Sequence, residues 1–86
     1  MEKYNYFYET FNCEEQVEFI YSEKRYFMCS YRTRSKKKKW ALYDLGQTQV
    51  LIDNGYETID DILNAKLFDG KSFNEIFDEV DIEAYC

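Results

Sequence analysis

The feature that most limits the fold of this chain is a period-two pattern of apolar residues that begins at residue 17. Val17, Phe19 and Tyr21 recur at every second position, which places them on one side of an extended chain. A polar, turn-like segment at 22–24 follows, and after it comes a second aromatic-rich run over 25–31. Two such runs around a short turn predict a β-hairpin.

Further strands are expected after this hairpin. Residues 40–45 and 49–53 are short apolar segments separated by a turn signal, and the Asn54-Gly55 pair predicts a turn after the second segment. The strands would then form an antiparallel meander of three or four members. The edges of so small a sheet are open to pairing with a second copy or with a partner.

Helices are expected before and after the strand region. Residues 4–12 carry aromatic side chains at helical spacing; their alternation also fits a strand, but the spacing favours a short helix. Thr58 and Ser72 are suitable N-cap residues for two C-terminal helices, and Ser72 with Glu75 forms a capping-box pattern. The predicted fold class is therefore α+β, with the N-terminal helix and the two C-terminal helices packed on one face of the sheet.

The composition limits the chemistry that the chain can perform. Its 86 residues are enough for a single domain, residues 1–86, and an aromatic content of 20% can supply the core. The chain has no histidine, and Cys13, Cys29 and Cys86 show no metal-binding spacing, so neither a metal nor another cofactor is expected. The cysteines show no pairing pattern, and the sequence has no signal peptide and no apolar run of membrane length. These features predict a cytoplasmic protein without membrane contact.

Catalytic groups are equally scarce. Without histidine, no serine or cysteine triad with an imidazole base can be assembled. The carboxylates and tyrosines form no motif that assigns a reaction to them. The sequence therefore predicts no catalytic residue. It indicates a non-enzymatic binding or regulatory protein that acts through a protein–protein interface. The expected partner is another protein, with a homodimer through a sheet edge or through opposed charges as an alternative.

Positive charge is concentrated in one segment, although the net charge of the chain is −6. Residues 24–40 hold eight of the eleven basic residues and no acidic residue. A candidate binding surface in this segment consists of Lys36, Lys37, Lys38, Lys39 and Trp40. Lysines beside an indole ring can contact phosphates and stack on bases, so nucleic-acid binding through residues 32–40 is an alternative function, which the negative net charge opposes. The other interpretations are a solvated hairpin loop and pairing with the chain's own acidic segment or a second copy.

Negative charge accumulates in the C-terminal half. Residues 41–86 contain eleven acidic residues against two lysines, and Asp78, Glu79 and Asp81 belong to the last predicted helix. A carboxylate-rich helix can imitate a phosphate backbone, so this surface suggests an acidic mimic of nucleic acid that inhibits a host defence nuclease. The alternative is a solvated helix surface, which is common for acidic helices.

Parts of the chain resemble short uncharacterised proteins of low-GC Gram-positive bacteria and of their phages and mobile elements. The similarity lies in the hairpin segment 17–26 (VEFIYSEKRY) and in the segments 58–63 (TIDDIL) and 69–80 (DGKSFNEIFDEV). The order of hairpin, strand and helix also resembles theirs. The resemblance implies a bacterial cytoplasmic setting and assigns no chemistry to any residue.

Overall fold

In the computed structural model, which describes residues 2–46 and 49–85, five antiparallel strands form one sheet. One helix precedes the sheet, and two short helices and a 3₁₀ turn lie between its fourth and fifth strands. The elements in chain order are α1 (Glu2–Glu14), β1 (Gln16–Tyr21), β2 (Lys24–Arg32), β3 (Lys38–Asp44), β4 (Val50–Tyr56), α2 (Ile59–Asn64), α3 (Phe73–Ile76), the 3₁₀ turn (Phe77–Glu79) and β5 (Asp81–Ala84). The α+β class predicted from the sequence is confirmed.

Strands β1 to β4 form the predicted meander. β1 pairs with β2, β2 with β3 and β3 with β4, each in the antiparallel sense. The turn between β1 and β2 consists of Ser22 and Glu23, whose φ angles of 50° and 67° lie in the left-handed region. Two positive φ angles in a two-residue turn match the right-handed twist of the flanking strands, and this explains why the hairpin closes so tightly.

Strand β5 is an addition to the predicted order. The last predicted helix includes Asp81, but α3 ends at Ile76, the 3₁₀ turn follows, and β5 then pairs with β1. The strand order is β4-β3-β2-β1-β5, so β4 and β5 are the two edges of the described sheet. A strand of four residues is too short to show a period in the sequence. Its extended conformation depends on backbone pairing with β1.

The Asn54-Gly55 pair lies within a strand and not in the predicted turn. β4 continues to Tyr56, and its register against β3 slips between Asp53 and Tyr56. Such a slip is a β-bulge, in which one strand carries an extra residue. Gly55 has a φ of 88°, which glycine adopts without the steric penalty of a side chain. The pair therefore supplies a positive φ angle, as expected, but uses it to bend a strand.

The core lies between the sheet and the helices. Phe7 and Phe11 of α1 are buried, which confirms the helix over the strand alternative for this segment. The Phe7 ring centroid lies 4.9 Å from that of Phe73 in α3. The Phe11 ring makes an edge contact with Trp40 of β3, at 5.0 Å between ring centroids. Aromatic residues from α1, α3 and the sheet therefore hold the two layers together.

Both predicted N-caps of the C-terminal helices are present. Thr58 Oγ1 accepts a hydrogen bond from the Asp61 amide at 3.0 Å and so begins α2. Ser72 Oγ accepts a hydrogen bond from the Glu75 amide at 3.2 Å, and Glu75 Oε1 accepts one from the Ser72 amide at 2.9 Å. This reciprocal pair is the predicted capping box, and it determines where α3 begins.

Candidate interaction surface

Trp40 is a core residue and not part of an exposed basic surface. Its side chain is 2% exposed and is covered by Phe11 of α1. The alternation along β3 places Trp40 and Leu42 on the side of the sheet that faces the helices. The expectation that Trp40 could stack on a nucleic-acid base is therefore corrected, because its ring is enclosed.

Two of the predicted lysines make contacts within the chain. The Nζ atom of Lys38 lies 3.3 Å from Glu15 Oε1. The Nζ atom of Lys39 donates a hydrogen bond to Glu57 Oε1 at 3.0 Å, and this bond lowers the pKa of Glu57. Glu15 directly follows α1, whereas Glu57 directly follows β4 and belongs to the acidic segment 41–86. Lys39 therefore makes a contact of the kind expected between the basic and acidic segments, and Lys38 does not.

Lys36 and Lys37 lie in the exposed loop between β2 and β3. The Thr33 amide donates a hydrogen bond to the Lys37 carbonyl at 3.0 Å, and the Lys36 amide donates one to the Thr33 carbonyl at 2.9 Å. Neither lysine side chain forms an ion pair with any residue that the structure describes. The predicted basic surface is thus divided into exposed lysines in the loop, paired lysines in β3 and a buried tryptophan.

The predicted acidic surface extends over two elements. Asp78 and Glu79 lie in the 3₁₀ turn, whereas Asp81 is the first residue of β5. The expectation that these residues share one helix is therefore corrected, because α3 ends before them. All of them are exposed, and within residues 2–46 and 49–85 none forms an ion pair.

The most exposed apolar side chains in the described part of the sheet lie on the edge strand β4. Val50, Leu51 and Ile52 are 53%, 45% and 40% exposed. β4 pairs with β3 on one side only, so its other side presents unpaired backbone donors and acceptors. Open sheet edges are expected from the sequence, but this particular site is not. Its signal is that apolar residues are consecutive at 50–52 and do not alternate with polar ones.

The two edges of the described sheet differ in charge. β5 carries Asp81 and Glu83 among its four residues, and both are exposed. In β4 the only charged residue is Asp53, and the segment 50–52 is uncharged. Charged residues on an edge strand oppose pairing with another strand, whereas an apolar edge favours it. The composition of β4 is therefore better suited to pairing with another strand than that of β5.

Leu51 continues an apolar row on the face of the sheet that the helices leave open. Tyr26 and Met28 of β2 belong to the core, so alternation places Phe27 on the opposite face. Phe27 opposes Tyr43 of β3, with 6.5 Å between ring centroids, and Tyr43 opposes Leu51. The row thus crosses β2, β3 and β4 and ends at the edge.

Val50 and Ile52 lie on the helix side of β4. Ile52 lines a groove of about 230 Å³ together with Tyr26 and Asp44, which face the helices. Val50 opposes Asp44 in the register and therefore lies on the same side. Because Leu51 lies on the open face, β4 is apolar on both faces of the sheet over residues 50–52.

The described residues offer no site for a metal, since no group of three or more His, Cys, Asp or Glu side chains among them is arranged to hold one. Cys13 is exposed and Cys29 partly buried, both as free thiols, and burial raises the pKa of Cys29. Cys86 lies outside the described residues. None of the helices described is both long and apolar enough to cross a membrane.

Comparison with family models, curated proteins and solved structures finds no match to this chain. Among the surfaces described above, the β4 edge is distinguished by three consecutive exposed apolar side chains.

Proposed function

We propose that this chain is a small non-enzymatic binding protein of the bacterial cytoplasm, and that it acts through a protein–protein interface at the β4 edge. The observation that carries the proposal is the uncharged apolar segment Val50–Ile52, exposed on an edge strand. The mode of binding that suits such a strand is strand addition, in which an extended segment of the partner lies beside β4.

Strand addition at β4 draws on two contributions to the free energy of binding. The partner's backbone satisfies the unpaired donors and acceptors of β4, and each hydrogen bond contributes about 0.5–1.5 kcal/mol net. Val50, Leu51 and Ile52 lose exposed apolar surface, which contributes about 25 cal/mol per Å² removed from water. Because β3 already holds β4 in place, most of the conformational entropy is lost by the partner segment.

The test compares the proteins that immobilised variants retain from the lysate of a low-GC Gram-positive bacterium. Leu51→Lys places a charge at the centre of the proposed interface. Tyr6→Lys is the matched control, because it makes the same change at a residue of α1 that is 59% exposed. The proposal predicts a protein that the wild type and Tyr6→Lys retain and Leu51→Lys loses. Equal retention by all three chains would contradict the assignment to β4.

A second candidate function is inhibition of a host defence nuclease by imitation of nucleic acid. It is supported by the exposed carboxylates of Asp78, Glu79 and Asp81, which have no ion-pair partner among the described residues. The test is to measure inhibition of a panel of defence nucleases by the wild type and by the triple variant Asp78→Asn, Glu79→Gln, Asp81→Asn. Loss of inhibition in the triple variant supports this candidate, and inhibition that survives the change excludes these residues.

Direct binding of nucleic acid through residues 32–40 has less support than either candidate. Trp40 is enclosed, and Lys38 and Lys39 are paired with glutamates, which leaves the lysines of the loop. The net charge of −6 also opposes attraction to a polyanion. No gel shift with single-stranded RNA or DNA at low salt is therefore expected.

A further inference from the structure

We infer that a second copy of this chain fits the β4 edge, and that the two copies pair through β4 in an antiparallel, two-fold arrangement. The inference rests on the proposed function, because both assign protein binding to β4. β4 presents Leu51 on the open face and Val50 and Ile52 on the helix side. A partner strand must therefore also be apolar on both faces over a few consecutive residues, and β4 itself meets this requirement.

The register of the pairing follows from the order of residues in β4. A two-fold axis at Leu51 places Leu51 opposite its own copy and Val50 opposite Ile52 of the second copy. Each apolar residue of the segment 50–52 then faces another apolar residue. An axis at Asp53 would instead place two carboxylates opposite each other, which destabilises a strand pair.

The same register joins the apolar rows on the open faces of the two copies. In each copy the row runs from Phe27 through Tyr43 to Leu51. With the axis at Leu51, the two rows meet end to end, and no charged residue interrupts them. The exposed side chain at the end of each row becomes covered by its counterpart, and the two sheets become continuous.

The pairing segment is short, which sets the expected strength of the association. The register of β4 against β3 slips at Ile52 and again before Tyr56, so only a few residues around Leu51 are available for regular pairing. A strand pair of this length buries much less than the ~800 Å² per partner of a standard interface. We therefore expect a dissociation constant of about 10 µM or weaker. Weak self-pairing leaves β4 able to exchange its second copy for another polypeptide.

Site-specific disulfide formation tests the register. The parent carries Cys13→Ser and Cys86→Ser and keeps the partly buried Cys29. Residues directly opposite in an antiparallel pair have Cα atoms about 4.5–5.5 Å apart, which suits a disulfide. With oxidised glutathione as the oxidant, chains with Leu51→Cys are expected to form a covalent dimer. Chains with Val50→Cys alone should stay at the level of the parent, whereas a mixture of Val50→Cys and Ile52→Cys chains should cross-link.

Sedimentation velocity of the unmodified chain over a range of concentrations provides the second measurement. The inference predicts a shift from monomer toward dimer that Leu51→Lys abolishes and Tyr6→Lys leaves intact. A chain that stays monomeric at millimolar concentration overturns the inference. Cross-linking of Val50→Cys chains alone to the same extent as Leu51→Cys chains overturns it as well. If the chain is monomeric but the lysate protein still depends on Leu51, self-pairing fails and the proposed function stands. If the chain dimerises and no lysate protein needs Leu51 in order to be retained, self-pairing stands and the proposed function fails.

Discussion

Tyr43 of β3 and Leu51 of β4 are cross-strand partners on the face of the sheet that the helices leave open. Tyr43 is partly buried between two neighbouring strands, whereas Leu51 is 45% exposed because no strand follows β4 in the described sheet. The exposure of Leu51 is thus a consequence of its edge position. A strand added to β4 would enclose Leu51 as β4 encloses Tyr43.

Leu51→Lys is expected to leave the free energy of unfolding within about 0.5 kcal/mol of the wild-type value, because the side chain is 45% exposed on an edge strand. Because the introduced charge disrupts pairing between copies through β4, the same change should also reduce light scattering at high protein concentration. Urea unfolding and static light scattering measure the two effects separately. A loss of more than about 1 kcal/mol would show that Leu51 is packed in the isolated chain, contrary to the edge described above.

Trp40→Ala is expected to lower the free energy of unfolding by about 3–5 kcal/mol, because the change opens a cavity between β3 and Phe11 of α1. Lys37→Ala, in the exposed loop beside this strand, should change it by less than about 0.5 kcal/mol. Urea unfolding followed by circular dichroism measures both variants. A small effect of Trp40→Ala would contradict the burial of Trp40 and would restore it as a surface residue.

Glu75 should make the fold sensitive to acid. Its hydrogen bond with Lys66 and a further one from the Ser72 amide lower its pKa from 4.5 to about 2. Because the folded-state pKa lies below the unfolded-state value, the stabilisation is present above about pH 4.5 and is lost as the pH falls toward 2. The difference in urea midpoint between the wild type and Glu75→Gln should therefore shrink over this range.

The control for this titration is Glu79→Gln, since Glu79 is exposed and forms no ion pair within the described residues. Its urea midpoint should follow that of the wild type from neutral to acidic pH. If the difference between the wild type and Glu75→Gln were independent of pH, the lowered pKa of Glu75 would have no role in stability.

Gly55→Ala is expected to destabilise the fold by about 1–2 kcal/mol, the cost of placing a side chain in the left-handed region. An added Cβ would have no atom within 4 Å, so the cost arises from backbone strain and not from a clash. For a domain of this size, a loss of 1 kcal/mol lowers the melting temperature by about 4–8 °C. Asn54→Ala, at the neighbouring position without a positive φ, should shift it much less. Equal shifts would contradict the bulge.

Local signals in the sequence predict most of the fold. The alternation at Val17, Phe19 and Tyr21 is repeated over enough residues to identify a strand, and the Ser72–Glu75 capping box needs only four residues. β5 is different, because its strand conformation depends on pairing with β1 and its sequence is too short to show a period. The bulge at Gly55 shares its sequence signal with a turn, and only the register against β3 distinguishes them.

The candidate site is less accessible to sequence analysis than the fold. Charge runs predict exposed surfaces, but Trp40 follows four lysines and is still buried, because alternation along β3 turns it toward α1. The apolar segment 50–52 reads as an ordinary strand, and its importance depends on β4 being an edge. Strand order is a property of the whole sheet, so the sequence of β4 does not reveal it.

Photo-crosslinking from β4 tests the central claim most directly. The photoreactive residue p-benzoylphenylalanine would replace Leu51 in one chain and Tyr6 in a matched chain, both expressed in a low-GC Gram-positive host. The account predicts adducts from position 51 and few from position 6, and mass spectrometry then distinguishes a second copy of the chain from a host protein. Equal adducts from both positions, or none from position 51, would contradict the assignment of protein binding to the β4 edge.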